Sequence, residues 1–218
     1  MQSWCAVLTK DQERKKRLFE LHYKQQMILQ APVVITFCSD FNRMKQWLSA
    51  KNSKQSFDDF LGFQTGLIDS VIAAQNVATA AESYGLGICY MGTTLWAADK
   101  ISEFLELPDC VVPVTSLVLG YPDEEIDSVR YRLPLEVLVH EEVYSKRSEA
   151  EVLDIYREFE ENSWQRYKEF PGHIEKLEKE GITSVADFYT SDLKYSKALH
   201  QEVSEMLIEF LKKKKFFL

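Results

Sequence analysis

The longest apolar pattern in the chain runs from Thr65 to Tyr84, TGLIDSVIAAQNVATAAESY. At the helical period, Leu67, Val71, Ala74, Ala78 and Ala81 share one side, and Ile68, Ile72 and Val77 fill much of the rest. With polar residues confined to a few positions, the pattern predicts a helix buried on more than one face. Its alanines allow another backbone to come close, that of a second subunit included. Gly85 and Gly87 stop the helix, because glycine takes the left-handed conformation that closes a C-terminus. Ile88-Cys89-Tyr90 then leads into Met91-Gly92-Thr93-Thr94, and a second helix spans Leu95 to Leu105, capped by Thr93 or Thr94 and closed by Pro108.

Around this centre the pattern alternates. Trp4 to Leu8 reads as a strand, Lys10-Asp11 as the start of a charged helix whose apolar positions are Leu18 and Leu21, and Lys24 to Gln30 as a short helix. Val33 to Cys38 and Val111 to Leu119 are continuous apolar runs, the signature of strands covered on both faces. Asn42 to Ala50 reads as a helix, Lys51 to Ser56 as a polar loop, and Pro134 to Val143 as extended. From Ser148 onward only helical patterns occur: Ser148 to Phe170, Gly172 to Lys179 and Ser196 to Lys215. The pattern predicts an α/β core over residues 1–147 and a helical extension over residues 148–218.

The 45% hydrophobic content of the 218 residues supplies a sizeable core. A net charge of -8 speaks against nucleic acid or an anionic membrane as partner. No apolar run approaches the ~20 residues that span a bilayer, and MQSWCAVLTK lacks the plan of a signal peptide. Cys5, Cys38, Cys89 and Cys110 have no metal spacing and read as free thiols in a reducing cytoplasm. His22, His140, His173 and His200 have no partner at ligand spacing, so no metal site is expected. There is no G-x-S-x-G, P-loop or G-x-G-x-x-G, which leaves acid–base and nucleophilic enzymes without support. Lys212 to Lys215 complement the dipole of the last helix, and the aromatics after them dock on a core or a partner.

Two features carry chemistry. Arg130 and Arg132, two apart in an extended loop, can point the same way and fork onto one phosphate; on the residues alone a solvated surface pair is the better explanation. Tyr90-Met91-Gly92-Thr93 joins a strand to a helix, where backbone N–H groups collect and glycine admits a close ligand; an ordinary turn would look the same. A planar cofactor bearing a phosphate accounts for both.

Several stretches in order resemble the nitroreductase family of FMN-dependent NAD(P)H oxidoreductases, in its NADPH nitroreductase and flavin reductase branch. They are MQSW, QAPVVITFCSDFNR, AAQNVATAAESYGLGICYMG, LVLGYP and RYRLPLEVLVHEEVY. The resemblance implies a central, mostly antiparallel or mixed sheet flanked by helices, and a homodimer with the flavin at its interface. It places Gln25 at the FMN ring or ribityl chain and Tyr90, Met91, Gly92 and Thr93 against the isoalloxazine. It puts Arg130 and Arg132 on the FMN phosphate and Gln2 and Ser3 near the flavin. Thr93 stands where a second glycine is common and narrows the approach. The family's N-terminal helix, with its Arg-Arg-Ser or Arg-Ser-x-Arg motif, has no counterpart before MQSW, which implies either a start internal to a longer product or a shortened member with weakened or absent FMN binding. The implied activity is reduction of nitroaromatics, quinones or free flavins by NAD(P)H through bound FMN, in a ping-pong cycle. The alternative is a non-catalytic, shortened dimer that binds FMN weakly or not at all.

Overall fold

A computed structural model describes residues 2–123 and 130–217. Its centre is a four-stranded sheet of β1 (Trp4–Thr9), β2 (Val33–Asp40), β3 (Gly87–Met91) and β4 (Val111–Gly120), ordered β1-β2-β4-β3 with every pair antiparallel. The two most apolar strands, β2 and β4, take the central positions, where both faces are covered. Pro113 lies in β4 at a register shift opposite Phe37 and Cys38; a central strand tolerates a residue without an N–H at such an irregularity.

Five helices fall within the first 123 residues: α1 (Gln12–Leu21), α2 (Met27–Gln30), α3 (Asn42–Ala50), α4 (Phe60–Ser83) and α5 (Ala98–Phe104). Asp11 starts α1 by accepting from the Arg14 amide at 2.8 Å. Asp59 does the same for Gly62 at 2.7 Å and starts α4 five residues ahead of the apolar pattern. Residues 130–217 add α6 (Leu135–Leu138), α7 (Glu149–Lys168), α8 (His173–Lys179), α9 (Val185–Thr190) and α10 (Lys197–Lys213). Ser148 and Glu151 close a reciprocal capping box at the start of α7. The Pro134–Val143 stretch is not extended, because the preset backbone of Pro134 opens the short α6. Nor does a threonine cap follow Gly92. Residues Gly92–Ala97 form a 3-10 helix with no side-chain cap, and the Thr94 hydroxyl turns inward to donate to the Met91 carbonyl at 2.8 Å.

The chain divides into two compact units, Met1–Glu124 with Val203–Leu218, and Glu125–Glu202. In the first, α4 lies on one face of the sheet through Ala74, Ala78 and Ala81, against Phe37, Leu117 and Leu119. The other face carries Val34 and Val118, packed with Leu18, Leu21, Ile28 and Ile101. Phe216 is buried between Phe41 and Phe63, so the C-terminal aromatic does dock on a core. The second unit has its own core of Tyr167, Leu177, Ile182, Val185 and Phe188.

The central helix departs from expectation in one respect. Within one chain α4 is buried on a single face, and its small residues meet the sheet; Ile68 and Ile72 stand 54% and 63% exposed. Gly66 marks the closest approach: a Cβ there would lie 2.1 Å from Ser39 Oγ and 3.0 Å from the Ser3 carbonyl. Gly66→Ala is therefore expected to remove about 2 kcal/mol by overpacking. A melting temperature unchanged within error would show that α4 can shift off the sheet at no cost.

Candidate functional site

The Gly92 loop is fixed from below by a chain of buried hydroxyls. Thr94 Oγ1 is 3.1 Å from Ser116 Oγ on β4, which donates to Thr36 Oγ1 on β2 at 3.1 Å. The Met91 side chain is fully buried in the core, so this residue offers a ligand only its backbone. The Tyr90 phenol donates to Gln75 Oε1 of α4 at 3.1 Å, and burial pushes its pKa up. Gly92 is exposed, and the space where its Cβ would stand is open. A flat ligand can reach the backbone here without moving a side chain.

Sequence reasoning missed His22. It is fully buried at the end of α1, with Nδ1 2.8 Å from Thr93 Oγ1 and Nε2 buried without a partner. Burial lowers its pKa to about 4, so the imidazole is neutral and ties α1 to the loop without adding charge. Tyr23 and Lys24 follow at φ 54° and 60°, and the Lys24 amide closes the helix by donating to Phe19 O at 2.8 Å. This left-handed pair turns the chain into Gln25, whose amide donates to His22 O at 3.3 Å. The His22–Thr93 link thus brings the end of α1, three residues before Gln25, to the Tyr90–Thr93 loop.

Gln2 and Ser3 stand elsewhere. The Ser3 amide and hydroxyl both donate to Asp69 Oδ2, at 3.0 and 2.5 Å, and these bonds hold the Asp69 carboxyl below the usual range. Arg43 donates to the carbonyls of Gln2 and Trp4 at 2.7 and 3.2 Å. Because β1 and β3 are opposite edges of the sheet, Ser3 is at least three strand spacings, about 14 Å, from the Gly92 loop of the same chain.

In the second unit, Arg130 and Arg132 line one cavity of about 430 Å³ together with Arg166, which the sequence did not single out. Arg166 Nε is buried without a partner, and Glu169, Phe159 and Tyr189 complete much of the wall. Three guanidinium groups, one with an orphaned donor, suit a doubly charged anion. An open glycine backbone beside Tyr90 and Thr93 suits a planar ring. Each place, taken by itself, has the chemistry that one part of FMN needs: a phosphate at the arginines, a planar ring at the Gly92 backbone. Among the described residues no group of three His, Cys, Asp or Glu side chains could hold a metal, and no helix is long and apolar enough to cross a membrane.

The sequence profile of the Nitroreductase family matches residues 2–121. An FMN reductase (NADPH) of Bacillus subtilis (strain 168) is 34% identical over 147 residues, 66% of this chain and 59% of that protein. A solved structure from Bacteroides fragilis NCTC 9343 is 31% identical and has a TM-score of 0.88, covering 100% of this chain and 85% of its own. The structure of NfrA1 nitroreductase from B. subtilis is 26% identical with a TM-score of 0.80, covering 99% of this chain and 82% of its own. The chain spans 59 to 60% of the length of the first curated relatives it matches.

Proposed function

The chain belongs to the nitroreductase family, and from that premise we propose that it is an FMN-dependent NAD(P)H oxidoreductase. The observation that carries this reading is the unobstructed Gly92 backbone, held between Tyr90 and the His22-bound Thr93. When bound, FMN supplies hydride acceptance from NAD(P)H and electron delivery to a nitroaromatic, quinone or free flavin, with donor and acceptor using the site in turn. The protein supplies placement. Tyr90 and the backbone groups of Met91, Gly92 and Thr93 would hold the ring, and Gln25 would reach the ring or the ribityl chain. Arg130 and Arg132, with Arg166 beside them, would hold the phosphate.

The site is proposed to be shared by two copies of the chain. Gln2 and Ser3 are too far from the Gly92 loop of their own protomer to serve the same ring. Across a dimer whose interface includes the exposed Ile68 and Ile72 of α4, one protomer's β1 end can meet the other's loop. The acidic composition suits the cytoplasm.

Titration of the purified chain with FMN tests the reading. Quenched flavin fluorescence and anaerobic bleaching by NAD(P)H are expected; a chain that leaves FMN fluorescence and absorbance unchanged is the non-catalytic alternative. Two substitutions sharpen it. Gly92→Ala adds a Cβ in open space, so the melting temperature of the free protein should hold while FMN affinity falls. Arg132→Gln should weaken FMN by about 10- to 100-fold through loss of one charge-assisted contact, and weaken riboflavin, which lacks the phosphate, far less.

A further inference from the structure

Cys5 and Cys38 are directly opposite in the β1–β2 register. The Asp40 amide donates to the Ser3 carbonyl at 2.9 Å, which makes Ser3 and Asp40 a hydrogen-bonded pair and, two residues on, makes Cys5 and Cys38 one also. Residues so paired have Cα atoms about 5.5 Å apart and project to the same face. That separation lies within the roughly 4.4–6.8 Å a disulfide spans. Both cysteines are in the thiol state here.

The two thiols are not equivalent. Cys38 is fully buried, whereas Cys5 lies half-buried on the edge strand, where solvent reaches it. The neighbouring Cys38 thiol lowers the pKa of Cys5, and the Arg43 guanidinium adds to this from the end of β1, against the opposing effects of burial and Asp40. The same pairing, with burial, drives the Cys38 thiol well up, so Cys38 keeps its proton. Cys110 is buried behind the Lys215 carbonyl, and burial raises its thiol too. Thiolate character and access, which govern oxidation, therefore coincide at Cys5 with a second thiol alongside.

We infer that Cys5 and Cys38 form a peroxide-reactive pair, in which Cys5 is the attacking thiolate and Cys38 the resolving thiol. The Cys5 sulfur attacks one peroxide oxygen, the O–O bond breaks, and with one proton taken up the products are Cys5 sulfenic acid and water. The Cys38 sulfur then displaces the hydroxyl from Cys5, its own proton leaving with it as a second water, and the S–S bond forms. Two thiols are oxidised and one hydrogen peroxide is reduced to two waters. The disulfide ties the edge strand β1 covalently to β2, two residues after Ser3. It depends on neither flavin nor the proposed activity.

Hydrogen peroxide added to the reduced full chain should lower the thiol count from four to two. The intact mass should fall by two hydrogen atoms, and peptide mapping should recover Cys5 linked to Cys38, with dithiothreitol restoring four thiols. In Cys38→Ala the oxidation should stop at a sulfenic acid on Cys5 that dimedone captures. In Cys5→Ser, with folding checked by circular dichroism, peroxide should be consumed at least about tenfold more slowly. A thiol count that stays at four, a linkage through Cys89 or Cys110, or an unchanged rate in folded Cys5→Ser would each overturn the inference.

Discussion

Replacing Lys15 with alanine is expected to remove about 4 kcal/mol of stability and to lower the melting temperature by about 10 °C. Lys15 sits on α1 three residues before Leu18 and is fully buried. Its ammonium donates to the carbonyls of Leu29 at 3.1 Å and Ala31 at 2.6 Å, closing the C-terminal end of α2 where the helix dipole favours a cation. Truncation has two consequences of the same sign. It leaves two part-buried carbonyls without that donor, at about 1 kcal/mol each, and it empties the volume of one of the largest buried side chains. Lys15→Met separates them, because methionine refills the space and restores no hydrogen bond; about half the loss should remain. A loss under about 1 kcal/mol in Lys15→Ala, measured by urea unfolding, would mean that water enters and satisfies both carbonyls.

His22 makes the fold acid-sensitive in a defined window. Its pKa is about 4 in the folded chain against 6.5 for the free side chain. Below pH ~6.5 the unfolded chain takes up a proton that the native state refuses until pH ~4, so stability falls as pH drops through that interval. The loss at its lower end is about 3 kcal/mol, and above pH ~7 the residue contributes no slope. His22→Gln can still hydrogen-bond to Thr93 and does not titrate. The difference in unfolding free energy between pH 7 and pH 4.5 should shrink by about 2–3 kcal/mol in this variant. An identical slope in the two proteins would assign the acid sensitivity to other groups. Stability measurements suffice, so the outcome is independent of any cofactor.

These two residues also show where sequence reading reaches its limit. The strands β2 and β4 are evident from VVITFC and VVPVTSLVL because central strands must be apolar on both faces. The boundaries of α3 are equally plain, and the last helix ends as its lysines and aromatics suggest, with Lys214 donating to Leu107 O and Phe216 buried. Lys15, by contrast, occupies the apolar stripe of α1 at the correct spacing, yet its residue type reads as solvent-facing. Nothing local announces the two carbonyls that receive it. His22 finds its partner 71 positions away, beyond any spacing rule. Helix α9 is only six residues long, too short for periodicity, though Ser184 caps it through the Asp187 amide at 3.0 Å. Of the candidate site, the Gly92 loop and the arginine pair are legible as chemistry. The placement of Gln2 and Ser3 at the far edge of the sheet follows only from strand order, which the sequence does not encode locally.

The way the first unit is closed bears on its birth at the ribosome. Phe41, Phe63 and Val112 wait for Phe210, Leu211 and Phe216 to complete their cluster, and the Cys110 thiol meets the Lys215 carbonyl across 105 positions of chain. All of residues 125–202 must be translated in between. At about 5–20 residues per second, the half-built core stands open for on the order of 5–20 s, exposing two phenylalanines to holdase chaperones and to neighbouring nascent chains. The second unit, whose core draws only on its own residues, can be finished first.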